Sequence, residues 1–385
     1  MPSKSSGTRA SAAAAVDISL LFSTLSKRFL AEQRSGGIWD EQTVRQAEKT
    51  CSLAVEIMQD KPLTQYRRID ANAFKSTLQS LPADYGKAAL FRKQPITEII
   101  RRDGGRQPPA ARLATRTVKR HVSVLSTLFR WAAREGMDVT NPFQGFSFPS
   151  ARRANQQREM WNVEELKLLF ASPVWSGCKS AVHRIAPGTM IIRDDKFWLP
   201  LIALFTGMRQ EEICQLQTED IRQIDGYWNF DINARPPRKL KNKNAIRRVP
   251  VHPELVALGF LDFIKACKAS RHSAVFPDLA PGGADGRLGH SYSKWFARYR
   301  QAIGVYKKGL DFHSLRHTAT TLLQRAGVAI GTIDELTGHA TPGETARYSH
   351  GLTMKQLAEA IASIRPEIDL SKLHRVSSLP GVDGG

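Results

Sequence analysis

The chain has 385 residues, 42% of them hydrophobic, which is enough for two domains with separate cores. It carries 56 lysines and arginines against 36 aspartates and glutamates, a formal net charge of +20. Such an excess is typical of proteins that neutralise phosphates, although a basic protein without a nucleic-acid ligand is the alternative. The 4 cysteines form no CxxC pair, which argues against a disulfide scaffold or a zinc ribbon and favours a reducing cytoplasm. No apolar run reaches membrane-spanning length, so we expect no membrane partner.

Residues 1–15 are rich in serine and alanine and lack a sustained apolar stretch, so we expect a disordered tail rather than a signal peptide. The following region, 16–146, has a helical pattern that is clearest over 116–134. Its predicted buried stripe consists of Val118, Val122, Leu125, Phe129 and Ala132. Another face carries Arg116, Arg120, Ser123, Thr127, Arg130 and Arg134. Guanidinium and hydroxyl groups both donate to phosphate oxygens, so we predict DNA contacts from the three arginines at 116, 120 and 130; a solvated basic face is the open alternative.

Two stretches break the helical pattern of the first half. Residues 94–114 contain paired glycines and paired prolines among arginines, which predicts a basic loop. Residues 147–158 are polar and basic without periodicity, and we place a domain boundary there. Arg152 and Arg153 in this predicted linker, and Lys243 in the second half, are further candidates for DNA contact.

The second half predicts a small sheet surrounded by helices. The apolar segment 197–205 fits a buried helix, and 227–232 alternates apolar and polar residues as a half-buried strand does. A second strand is expected over 247–251. Helices are then predicted over 253–269, 291–303, 314–326, 330–337 and 354–364.

Two segments of this half place charged side chains near predicted turns. Gly207 allows a turn after the apolar helix, so that Arg209 projects at its end and meets Glu212 on one helical turn. Between the two strands, 239–243 crowds three lysines into a polar connection. A surface ion pair and a solvated charge run are the ordinary explanations of these patterns.

Two further segments carry histidines. His313 and Arg316 share one helical face, with His317 one residue on. A metal site on the two histidines is an alternative, but no third ligand accompanies them. Further along, Gly338 ends a short helix before His339, and Tyr348 follows nine residues later. Taken alone, this tyrosine would be read as a packing residue.

Together these positions form an ordered set that resembles the active-site signature of the tyrosine recombinase, or phage integrase, family. The resemblance covers roughly 161–366. The set consists of Arg209, a lysine between two strands, His313, Arg316, His339 and Tyr348. Phe129-Arg130-Trp131-Ala132, followed by Asn141-Pro142, also resembles the end of that family's helical core-binding domain.

The resemblance implies an α+β fold, mainly helical with a small antiparallel sheet, in which two domains form a C-shaped clamp on DNA. It implies a SAM-like core-binding domain over 16–146, a catalytic domain over 159–366 and a flexible tail over 367–385. It further implies double-stranded DNA attachment sites as substrate, a homotetramer on paired sites, and accessory DNA-bending or directionality proteins as further partners. We expect the protein to act in the bacterial cytoplasm, at the nucleoid.

The same resemblance assigns roles to the residues. Tyr348 is the expected nucleophile, while Arg209 and Arg316 hold the scissile phosphate. His339 donates to that phosphate, and His313 assists proton transfer or binds the phosphate. Glu212 orients Arg209.

The expected general acid is Lys241, which begins a K-N-K run like the family's K-x-K pattern; Lys243 and Lys239 are the alternatives. No metal and no other cofactor is expected, because the arginines supply the positive charge. Three other functions share part of the pattern: a type IB topoisomerase, a non-catalytic DNA-binding protein and a metal-dependent nuclease.

Overall fold

The computed structural model describes residues 20–107, 110–149, 159–240, 245–283, 285–339 and 351–374. The predicted N-terminal tail, Arg152, Arg153, Lys241, Lys243 and Tyr348 lie outside these ranges. The chain divides into two compact units, one on each side of the segment around 150–158. None of the described helices is both long enough and apolar enough to cross a bilayer.

The first unit is helical. Its helices are α1 (Phe22–Ser35), α2 (Glu41–Met58), α3 (Arg68–Ser80), α4 (Ile96–Gly104) and α5 (Thr115–Arg134). Helix α2 packs against α1, α3 and α5. The core of the first unit is rich in aromatic side chains; Phe29 contacts Trp131, and Phe74 contacts Phe143 in an edge-to-face pair. All the predicted stripe residues of α5 are buried, while Arg116, Arg120 and Arg130 are exposed.

The expectation of a loop over 94–114 was wrong in part. Helix α4 occupies the first half of that segment, because Ile96 and Ile99 provide one apolar face that is buried against the unit's core. Two of the arginines in this segment pair with a carboxylate on the same helix: Arg101 and Arg102 both bind Glu98.

The second unit surrounds a small antiparallel sheet with helices. Before the sheet come α6 (Val163–Phe170), α7 (Pro173–Ser176), α8 (Asp195–Thr206) and α9 (Gln210–Cys214). The strands are β1 (Ile221–Ile224), β2 (Tyr227–Ile232) and β3 (Arg247–Pro250), in the order β1-β2-β3. After the sheet come α10 (Pro253–Ala257), α11 (Phe260–Ala269), α12 (Gly289–Ala302), α13 (Phe312–Arg325), α14 (Ile330–Thr337), α15 (Met354–Ala362) and α16 (Ser371–His374).

Helix α8 lies at the centre of this unit, since all but one of its residues are buried. It packs along α13, which brings the residues after its C-terminal end close to Arg316. The strand β1 was not predicted. The helix expected over 253–269 is two helices, because Gly259 adopts φ +84° between them.

Helix α15 packs on β2, β3 and α14 of its own unit, burying Leu357, Ala360 and Ile361. The helical spacing of these residues is by itself equally compatible with packing inside the unit and with docking on a neighbouring protomer. Leu370 and Leu373, which the sequence assigned to a flexible tail over 367–385, are buried in the same core, and 375–385 lie outside the described residues. Spaced three residues apart, they form the inner face of a helical turn.

Candidate active site

Three arginines from three separate elements meet at the C-terminal end of α14. Arg247 Nε donates to Leu336 O at 2.7 Å, Arg316 Nη2 to Thr337 O at 2.7 Å, and Arg209 Nη2 to Gly338 O at 3.1 Å. A helix C-terminus presents unpaired carbonyls with partial negative charge, which guanidinium groups satisfy well. The three successive carbonyls therefore fix the positions of three positive charges.

Local chain geometry delivers Arg209 to this place. Gly207 closes α8 in the left-handed conformation, φ +67°, and Arg209 then caps α9. Its backbone N–H donates to Glu212 Oε2 at 2.9 Å, and its Nη1 donates to Glu212 Oε1 at 2.7 Å. The predicted pairing of Arg209 with Glu212 is thus present, as a capping interaction as well as an ion pair.

Glu212 is shared between two arginines. Arg247 donates to both of its oxygens, Nη1 to Oε1 at 3.1 Å and Nη2 to Oε2 at 2.7 Å. Burial by itself would raise the pKa of Glu212, but the bonds and charge of Arg247, and then of Arg209, hold that pKa below its usual value. Glu212 is therefore ionised at neutral pH although its side chain is only 5% exposed.

Among the catalytic candidates that the structure describes, Arg316 is the most buried, at 3% exposure. Besides Thr337 O it donates to Gly207 O at 2.7 Å. Burial first, and then repulsion from Arg209, lower the pKa of Arg316 to about 9, so the guanidinium stays charged at neutral pH. A rigid cation of this kind is suited to holding one anionic group in one position.

His339 follows the left-handed Gly338, which ends α14 as predicted. Its Nε2 lies 2.8 Å from Arg316 Nη2, and its Nδ1 lies 3.3 Å from Thr337 Oγ1 and 3.6 Å from Asp334 Oδ1. Burial, and then the charges of Arg316 and Arg209, lower the pKa of His339. The imidazole is half-exposed and lies beside both arginines.

His313 lies in the first turn of α13, one turn before Arg316, and is partly buried. Its ring contacts that of His317, with centroids 5.0 Å apart. Among the residues that the structure describes, no group of three potential metal ligands occurs, so the alternative metal site on these histidines has no third ligand there.

The entry to the lysine-bearing connection is anchored to α9. The backbone N–H of Lys239 donates to Gln215 Oε1, and Gln215 Nε2 donates back to Lys239 O at 3.1 Å. Just before it, Arg238 binds both oxygens of the buried Asp220, at 2.8 and 2.7 Å. This fixes where the connection begins, whereas Lys241 and Lys243 lie outside the described residues.

Sequence reasoning missed two members of this arrangement, Arg247 and Gln215. A signal for Arg247 was present, because alternation along β3 places it on the same buried face as Val249, with Arg248 on the exposed face. A buried charge is usually paired with an opposite charge. Glu212 was available, but its sharing between two arginines depends on the fold.

A family model described as the phage integrase family matches residues 185–354, which include every described candidate residue of this cluster. Residues 185–354 thus carry the domain of the phage integrase family, whose tyrosine recombinases break and rejoin DNA strands. The prediction of the family is thereby confirmed.

Relatives of this chain include tyrosine recombinase XerC of Mycobacterium sp. (strain KMS), 27% identical over 245 residues, covering 63% of this chain and 74% of the relative. A tyrosine recombinase XerC-like protein of Caldanaerobacter subterraneus subsp. tengcongensis is 26% identical over 281 residues, covering 65% of this chain and 66% of the relative.

Similar solved structures include a lambda integrase tetramer bound to a Holliday junction, with a TM-score of 0.52, 18% identity and coverage of 84% of this chain and 79% of that one. The Tn1549 transposon integrase in complex with circular intermediate DNA has a TM-score of 0.55 and 16% identity, covering 86% and 97%. The predicted fold class, mainly helical with a small antiparallel sheet, is confirmed.

Proposed function

We propose that this chain is a site-specific DNA recombinase that cuts and rejoins duplex DNA through a 3′-phosphotyrosine formed on Tyr348. The observation that supports it most directly is the convergence of Arg209 and Arg316 beside His339. Charged donors fixed in advance around one position stabilise an oxyanion that develops there. A phosphodiester in transfer is such an anion, with negative charge on its non-bridging oxygens.

In the proposed reaction the phenol oxygen of Tyr348 attacks the scissile phosphorus, and the bond to the 5′ oxygen breaks. The phenol must lose its proton as it attacks, because its ordinary pKa is near 10. Arg209 and Arg316 hold the two non-bridging oxygens, and His339 donates to the same phosphate. Lys241 protonates the departing 5′ oxygen, with Lys243 and Lys239 as alternatives, and His313 assists proton transfer.

The proposed product is a phosphate ester of similar energy to the bond that was broken. A free 5′ hydroxyl can therefore reverse the step on a new partner strand without ATP. The arginines provide the charge stabilisation, and the proposal includes no metal or other cofactor in the step.

We infer that the substrates are double-stranded attachment sites, that four protomers act on two paired sites, and that the reaction integrates or excises a mobile element in bacteria. The net charge of +20 and the exposed arginines of α5 support DNA binding. Arg116, Arg120 and Arg130 are proposed to contact the DNA backbone, as are Arg152 and Arg153. Accessory DNA-bending or directionality proteins would set the direction of the reaction, in the cytoplasm at the nucleoid.

The experiment traps the covalent step. Nicked duplexes taken from the DNA on each side of the protein's own gene are incubated with the purified protein, so that the cut strand leaves and the adduct accumulates. A slower band on a denaturing gel is expected for the wild type and for Tyr306→Phe, a matched control with an exposed phenol. Tyr348→Phe should bind the duplex without forming the adduct. An adduct from Tyr348→Phe contradicts the assignment of the nucleophile.

Two further experiments distinguish a recombinase from a topoisomerase and from a metal-dependent nuclease. Recombinant product between two plasmid-borne sites supports recombination, whereas relaxation of supercoils alone would indicate a topoisomerase. Cleavage that persists in excess EDTA excludes a metal-dependent nuclease.

A further inference from the structure

Three arginines, Arg209, Arg247 and Arg316, cluster at the C-terminal end of α14. Of these, Arg247 has no role in the proposed reaction as described above. Its side chain is 4% exposed, and its partners are Glu212, Leu336 O and Ala245 O. All of its nitrogens donate to groups inside the protein, so its contribution to chemistry must pass through those groups.

The charges around Glu212 indicate what Arg247 does. A buried carboxylate beside a single arginine would form a closed pair and cancel that arginine's charge. Here each oxygen of Glu212 accepts one bond from Arg247 and one from Arg209. Arg316 makes no hydrogen bond to Glu212 but lies close enough for its pKa to respond to that charge. The three guanidinium groups and the one carboxylate together carry two uncompensated positive charges.

The bonds also determine geometry. Arg247 holds Glu212 by both oxygens, and Glu212 in turn holds the backbone and guanidinium of Arg209. Through Leu336 O the same side chain ties β3 to the end of α14, two residues before Gly338, whose carbonyl accepts from Arg209. Arg247 thus binds both of the elements that hold Arg209, namely Glu212 and the C-terminal end of α14.

We propose that Arg247 is a positioning residue for the reaction: it is the counter-ion of Glu212, and it keeps the charge and orientation of Arg209 available for an anionic phosphate. This rests on the proposed function in taking that phosphate to be the scissile group of DNA. Its physical content, a charge balance within the cluster, is testable with inorganic phosphate alone.

The decisive test compares Arg247→Met with the double variant Glu212→Gln/Arg247→Met. In Arg247→Met the unpaired carboxylate should draw Arg209 into a closed pair, and the single-turnover rate of adduct formation should fall about 100-fold. DNA affinity should change far less, because the variant keeps its exposed arginines. In Glu212→Gln/Arg247→Met the carboxylate charge is gone too, so we expect about tenfold recovery over Arg247→Met.

Two variants control for folding and for the loss of any arginine. Arg247→Lys keeps the charge but loses the fork, and should lie between wild type and Arg247→Met at about a tenfold loss. Arg222→Met removes an arginine that pairs with Asp231 on the same sheet, and should react at the wild-type rate. Melting temperatures of all variants are measured alongside.

Phosphate binding separates this inference from the proposed function. Binding of inorganic phosphate, followed by ³¹P NMR, should weaken in Arg247→Met and recover in the double variant, whether or not any DNA is cleaved. If the wild type forms no adduct, the proposed function is contradicted, but the phosphate-binding measurement still tests the role of Arg247. The inference is overturned if Arg247→Met reacts and binds phosphate like the wild type, if the wild type binds no phosphate, or if the double variant recovers nothing.

Discussion

Arg316 Nη2 lies 2.8 Å from His339 Nε2, so His339 accepts a hydrogen bond from a group that can only donate. Its Nε2 is therefore unprotonated, and the ring carries its proton on Nδ1, facing Thr337 Oγ1 and Asp334. Without DNA, the histidine is a neutral acceptor. To donate to a phosphate, it must gain a proton or change tautomer.

This relationship predicts how His339 titrates. Burial, Arg316 and Arg209 lower its pKa and Asp334 opposes them, so the free protein should show a ring neutral at pH 7 that protonates only below its ordinary value of 6.5. A phosphate between the arginines should raise that pKa, because it adds negative charge. Ring ¹⁵N spectra with and without inorganic phosphate measure both. A ring protonated on Nε2 at pH 7 without phosphate would contradict the assignment.

Arg316→Lys should almost abolish adduct formation. Lysine keeps the charge but cannot donate to Gly207 O and Thr337 O and also present a planar fork to the phosphate. By analogy with other preorganised oxyanion donors we expect a loss of about 3 kcal/mol in transition-state stabilisation, or more than about 100-fold in rate. Single-turnover kinetics on the nicked duplex measure it, with Arg325→Lys at the other end of α13 as the control. A rate within about threefold of wild type would mean that charge alone suffices.

The first unit should lose stability in mild acid through His121. This residue is 2% exposed, and its Nδ1 lies 2.7 Å from Thr50 Oγ1, which itself donates to Gln46 O. Burial, and then the charges of Arg120 and Lys49, lower the pKa of His121 to about 4. Above pH 6.5 the ring is neutral in both the folded and unfolded states, so its effect on stability is constant there.

Between pH 6.5 and about 4 the unfolded chain binds a proton that the folded chain does not, so the free energy of unfolding falls. The total loss should be about 3 kcal/mol and level off at lower pH. Hydrogen exchange of peptides from α2 and α5 follows it, with His121→Gln as the reference that cannot titrate. An identical pH profile for the variant would show that His121 carries no such linkage.

The exposed face of α5 should contribute to the salt dependence of DNA binding. Replacing one phosphate-contacting arginine lowers the slope of log K against log salt by about one. We expect this for Arg120→Ala, and no change for Arg101→Ala, whose guanidinium is exposed but paired with Glu98. Equal slopes for wild type and Arg120→Ala, measured by titration of a labelled duplex, would place α5 away from the DNA backbone.

Helix α15 should stabilise the protomer that carries it. Leu357 is 2% exposed on the face packed against β2, β3 and α14, so Leu357→Ala should cost about 2–5 kcal/mol of stability. Lys355→Ala, on the exposed face, should cost little. Denaturant unfolding at several protein concentrations measures this; a loss that appears only where the protein self-associates would instead place the helix on a neighbouring copy.

The local sequence determined where several helices, one strand and the turns beside the candidate site lie. Helical periodicity located α5 and α14, and alternation located β2, because side-chain direction repeats with a fixed period in each type of element. The spacing of Arg209 and Glu212, and the glycines at 207 and 338, likewise act within a single turn of chain. The resemblance in ordered motifs identified the family from residues that lie far apart in sequence.

Only the tertiary structure decided how those residues share their charges. Arg247, Arg316 and Arg209 bind successive carbonyls of α14 because β3, α13 and the end of α8 pack around that helix terminus. Whether the buried carboxylate of Glu212 accepts hydrogen bonds from one arginine or from two depends on distances between elements far apart in the chain. Sequence patterns record which face of an element is buried, but not which group from another element meets it there.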